Sequence, residues 1–121
     1  MEWFEISDII RGVIEITKDS LVKWKSFDNE GFKIFYLEIG TGRVTITRQY
    51  ESMDDEYDYI MELRNKAGDV IENFYTGYED RGNQFILQEL YDVAENSYLQ
   101  RQATLNSMRD AIAKLKSGDV F

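Results

Sequence analysis

The chain contains no cysteine, no histidine and no proline in 121 residues. Without cysteine there is no disulfide, no thiolate nucleophile and no soft metal site, which removes the secreted, disulfide-stapled class of small protein. Without histidine the Ser-His-Asp, Cys-His and His-metal mechanisms are excluded, because the side chain that titrates near neutrality is missing. An enzyme would have to work with carboxylates, Lys, Arg, Tyr or a hard cation, so a non-catalytic protein without a cofactor is expected. No stretch approaches the roughly 20 apolar residues of a membrane span, and a soluble, cytoplasmic protein is expected. The eight glycines are scattered among apparent turns. With no proline-rich or glycine-rich linker, residues 1–121 read as a single domain.

What charge there is has one dominant sign. The net charge is -9, and residues 51–80 carry ten Asp or Glu against only Arg64 and Lys66. Such a surface repels a phosphate backbone, which argues against DNA and points to a basic protein surface as an electrostatic complement. The run Asp54, Asp55, Glu56 and Asp58 offers oxygen atoms to a hard cation. It lacks the glycine and terminal glutamate of an EF-hand loop, so it reads as a charged turn, and no metal is expected.

Apolar periodicity predicts a helix over residues 7–24, capped by Ser7, with Ile10, Val13, Ile14, Thr17, Leu21 and Trp24 on one face. Lys23 and Lys25 would then suit the negative end of its dipole. "DNEG" signals a turn, and four strands follow: "FKIFYLEI", "RVTITRQY", "YDYIMEL" and "DVIENFYT", joined by "GTG", an acidic loop and "NKAG". In the second of these Val44 and Ile46 face one way, with Arg48 on their side, while Arg43, Thr45, Thr47 and Gln49 face the other. The fold class is α+β: an N-terminal helix, a four-stranded antiparallel meander and a long C-terminal helix.

That last helix, from a cap at Asn83 to Lys116 before Gly118, carries a seam of heptad type: Leu87, Tyr91, Ala94, Tyr98, Arg101, Leu105, Met108, Ile112 and Leu115. It would be longer than a compact domain needs. Either it bends near "ENSYLQ", or it stays straight and its second half seeks another subunit, making a homo-oligomer. Arg101 is the one charged residue of the seam. A guanidinium buried there requires a carboxylate, or its stem packs while its head stays in water, or it meets an anion from outside. In the last case Arg101 and Arg109 would take a phosphate and Tyr98 or Tyr91 would stack on a base, with Thr104 beside them and Arg48 as a strand-borne candidate.

The sequence of "VKWKSF", "YIMELRNKAGDVIENF" and "LQELYDVAENSYLQRQATL" resembles small bacterial and phage-encoded proteins with a helix–sheet–helix layout. In size and style the chain is also similar to phage anti-defence proteins that sequester nucleotide immune signals, such as those opposing Thoeris. That resemblance implies a homo-oligomeric protein that sequesters a small anionic, nucleotide-like ligand. The alternative is an inhibitor or immunity-type protein whose acidic segment masks a basic surface.

Overall fold

The computed structural model describes residues 3–53, 55–76 and 81–118, with backbone only for Trp3 and for residues 81–84. Its elements follow one another as α1 (Trp3–Lys18), β1 (Lys25–Asn29), β2 (Phe32–Ile39), β3 (Gly42–Glu51), β4 (Glu56–Arg64), β5 (Val70–Thr76) and α2 (Arg81–Lys116). The strands pair antiparallel in chain order, so the sheet is a simple meander.

The sheet has five strands where the sequence predicts four. The additional strand is β1, which the apolar spacing assigns to the tail of the first helix. That helix runs over 3–18, not 7–24, and it ends for a backbone reason. Ser20 takes φ +60°. Around it Leu21 N–H reaches Ile16 O at 3.0 Å and Ser20 N–H reaches Thr17 O at 3.1 Å. This pair of bonds is the Schellman cap, usually built on glycine because an L side chain disfavours that φ. Serine hides the signal. Replacing Ser20 with glycine is therefore expected to stabilise the fold by about 0.5 to 1 kcal/mol, read as a higher urea midpoint at unchanged slope. Ser7 is not a cap: it lies inside α1, buried, with Oγ donating to Phe4 O at 3.0 Å.

Past the cap the chain turns back, and Lys25–Asn29 pairs with Phe32–Tyr36 across the "DNEG" turn. Glu30 and Gly31 there both have positive φ, as a tight hairpin of this twist requires. The other hairpins agree with their sequence signals. Gly40 has φ +58° in "GTG" and Gly68 φ +92° in "NKAG", where Asn65 also accepts from Asp69 N–H through its side chain.

One face of the sheet carries the core. Phe35, Leu37, Val44, Ile46, Tyr59, Met61 and Leu63 point inward and meet Ile6, Ile10, Val13 and Ile14 of α1 and Leu87, Leu90, Tyr91 and Ala94 of α2. Each such side chain contributes about 1.5 to 3 kcal/mol of hydrophobic burial. Trp24 is fully buried in the same cluster, and its Nε1–H donates to Thr17 Oγ1 at 3.0 Å.

α2 is a single helix of 36 residues, about 54 Å long, with no break at "ENSYLQ". It crosses the sheet obliquely. Tyr91 meets Tyr59 of β4 at 5.9 Å between ring centroids, and two turns later Tyr98 meets Phe35 of β2 at 5.7 Å. Beyond Tyr98 the helix has left the sheet: Met108, Ile112 and Leu115 are 55%, 49% and 64% exposed. The cap predicted at Asn83 falls on a side chain outside the described residues. The expected C-terminal glycine is in place, with Gly118 at φ +83° and its N–H on Leu115 O at 3.2 Å. No helix among the described residues is long and apolar enough to cross a membrane.

Candidate functional site: a cationic crevice beside the C-terminal helix

The six residues singled out from sequence do not converge. Arg48 and Tyr91 do meet, on the core side of the sheet as strand alternation predicts. The Arg48 guanidinium lies over two tyrosine rings, 4.1 Å from the Tyr57 ring centroid and 4.5 Å from that of Tyr91. Partial burial works against the charged form, but attraction to Tyr91, a hydrogen bond with Tyr59 and attraction to Tyr57 and Tyr59 prevail and raise its pKa. Burial likewise raises the pKa of Tyr59 and Tyr91, against the pull of Arg48. This cluster seals the margin of the core. Its own rings occupy the faces on which a ligand would stack.

Tyr98 is also spent on packing, half-buried against Phe35 with Lys33 Nζ 6.0 Å from its ring centroid. The expectation that Tyr91 or Tyr98 offers a free face to a base is therefore not met. Arg109 lies two turns beyond Arg101, exposed, with Nη1 donating to Asn106 Oδ1 at 3.4 Å. Eight residues along a helix separate the two by about 12 Å of rise, and Arg109 lines neither hollow beside Arg101.

Arg101 itself is exposed, contrary to its seam position, because it lies beyond the end of the sheet beneath Tyr98. Among the described residues no carboxylate lies within ion-pair distance of it. It stands instead at the lip of a crevice of about 210 Å³ between the Schellman-capped turn and α2, lined by Ser20, Val22, Lys23, Ser97, Gln100, Arg101 and Thr104. A second hollow of about 200 Å³ adjoins it, sharing Ser20, Ser97 and Gln100 and adding Lys18 and Asn96. Arg101 and Thr104 are thus brought together as expected, with Thr104 Oγ1 held on Gln100 O at 3.1 Å.

The chemistry of this crevice is uniform. Lys18, Lys23 and Arg101 supply positive charge, and Ser20, Ser97, Asn96 and Gln100 supply neutral donors. Among the described residues no carboxylate lines either hollow, although the chain as a whole carries 23 acidic residues against 14 basic ones. Lys18 Nζ contacts Glu89 Oε1 at 2.8 Å just outside, an exposed pair worth well under about 1 kcal/mol. Anions bind where charge-assisted donors gather without competing carboxylates. The crevice is open to solvent, and its lining is suited to holding a charged group.

Lys18, Ser20 and Lys23 are not joined to Arg101 in the sequence reading because they are distant from it along the chain. Lys23 reads there as a partner for a helix dipole that in fact ends five residues earlier. Compared with known families, curated proteins and solved structures, the chain matches none of them.

Proposed function

We propose that this protein is a non-catalytic binding module that holds a small phosphate-bearing, nucleotide-like ligand by its anionic group in the crevice between the 19–24 turn and α2. The observation that carries this reading is the lining of the crevice and the adjoining hollow: among the described residues, three cations and six neutral polar side chains without a carboxylate, on a protein of net charge -9. Arg101 and Lys23 both line it, and a guanidinium together with an ammonium suits a phosphate in hydrogen bonding and charge. Recognition rests on the phosphate, since no aromatic side chain lines the crevice. The same reading includes self-association through the part of α2 beyond Tyr98, supported by its exposed apolar residues.

The test is thermal unfolding with inorganic phosphate, AMP, ADP and ATP against sodium chloride at matched ionic strength. A ligand at 100 times its Kd adds about 2.7 kcal/mol, a rise in Tm on the order of 10 °C for a domain of this size. Stabilisation by a phosphate compound beyond the chloride control is expected. If none of them moves Tm more than chloride does, anion binding at this crevice is wrong.

A further inference from the structure

Two apolar surfaces of this chain are left uncovered, and they match in length and in charge. The first is the projecting part of α2, where Leu105, Met108, Ile112 and Leu115 continue the seam. From Leu105 to Leu115 this line spans about 15 Å. Its flanks are basic: Arg101, Arg109, Lys114 and Lys116 against the single carboxylate Asp110.

The second is the face of the sheet that carries no helix. Strand register places Phe27, Ile34, Thr47, Ile60 and Tyr75 directly opposite one another, one from each strand in order. They form a straight row across all five strands, about 19 Å long at the usual strand spacing. Phe27 and Tyr75 at its ends are 44% and 55% exposed, and neither isoleucine belongs to the core cluster. Tyr36 enlarges the patch, its ring 5.6 Å from that of Phe27. Antiparallel sheets with one wet face normally put polar side chains there, so a row of this kind calls for a cover.

The row divides the charges on that face, with Lys25, Glu38, Arg43, Glu62 and Arg64 on one side of it. Arg43 is held by Glu38 at 2.8 Å and Arg64 by Glu62 at 3.1 Å, which neutralises both arginines locally. Beside the row, at the β3–β4 hairpin end, strand alternation places the carboxylates Glu51 and Asp58 on the same face, Asp58 accepting from the Tyr75 hydroxyl at 2.8 Å. Pairing two projecting helices with each other would set cations against cations. Laying one across this face sets them against carboxylates.

We infer that the projecting half of α2 packs across the helix-free sheet face of a second copy, and the second copy returns the contact, giving a two-fold dimer. The apolar line lies over the Phe27–Tyr75 row, and the basic flank lies toward Glu51 and Asp58. The basic partner that the acidic segment 51–80 calls for is then the chain's own helix. This inference rests on the self-association included in the proposed function, but not on anion binding.

The absence of cysteine makes the contact directly testable. One protein carrying Met108→Cys is mixed with another carrying Thr47→Cys, or Tyr75→Cys if the first sheet variant folds poorly, and treated with a short bis-maleimide. A covalent dimer is expected in the mixture and little or none from Met108→Cys alone. Efficient crosslinking of Met108→Cys to itself would show helix-on-helix pairing and overturn the inference, while keeping self-association. A dimeric wild type whose mixed variants fail to crosslink also overturns it. A wild type that light scattering finds monomeric at all concentrations overturns self-association and this contact together, while the phosphate titration stands apart.

Discussion

Replacing Trp24 with alanine is expected to cost about 3 to 5 kcal/mol, a large share of the 5 to 15 kcal/mol that holds a typical domain together. Trp24 is fully buried, and it stands where the chain passes from the end of α1 into β1. Its indole N–H donates to Thr17 Oγ1, which in turn donates to Val13 O at 2.6 Å, so the side chain ties the incoming strand to the helix it has just left. Alanine removes the packed ring and leaves a cavity that a hydrogen-bonded turn on one side and a sheet on the other cannot easily close. Trp24→Phe keeps most of the ring volume but withdraws the donor from Thr17. It is expected to cost about 1 to 2 kcal/mol. Urea unfolding followed by circular dichroism separates the two, and equal losses would mean that the indole donor, not the ring volume, dominates at this position. Because the 19–24 turn is also one wall of the crevice, Trp24→Phe should retain phosphate binding better than any alanine variant that still folds.

Arg101→Met is expected to weaken phosphate-ligand binding by about 10- to 150-fold, the value of one hydrogen-bonded charge in a site of this kind. The substitution keeps the length and helix preference of the side chain and removes only the guanidinium. Since Arg101 is exposed and has no carboxylate partner among the described residues, stability without ligand should stay within about 0.5 kcal/mol of wild type. A ligand concentration that gives the wild type nearly its full thermal shift should leave the variant with a small fraction of it. Arg48→Met serves as the contrast. Its guanidinium is packed against Tyr57 and Tyr91, so the loss should fall on stability and leave ligand affinity unchanged. The reverse pattern, with affinity lost at Arg48 and kept at Arg101, would move the site to the tyrosine cluster.

The middle of the fold is legible in the sequence because alternation and turn chemistry agree there. "FKIFYLEI" is β2 to the residue, and "NKAG" holds the hairpin it announces. The first strand is not legible: its five residues, "KSFDN", are mostly polar, and the three- and four-residue spacing of Leu21 and Trp24 continues a helical pattern past the real end of α1. Leu21 is in fact exposed, and Trp24 reaches the core from a strand lead-in. Periodicity also runs unbroken from Leu87 to Leu115, but it reports only which residues share a helix face. Whether a sheet lies under that face changes at Tyr98, and this depends on the width of the sheet. For that reason Arg101 reads as a buried charge while standing in the open. The cationic crevice is legible only in its α2 half. Its other half depends on a serine in a left-handed turn, which no local signal marks.

The most direct measurement is a phosphate-ligand titration of the isotopically labelled protein, following backbone amide shifts by NMR with ADP as the probe. Saturable shifts are expected at Ser20, Lys23, Ser97, Gln100, Arg101 and Thr104, with little change at Arg48, Tyr57 and Tyr59. Saturable shifts confined to the Arg48 cluster, or no saturable shifts beyond those produced by chloride, would contradict anion binding in the crevice.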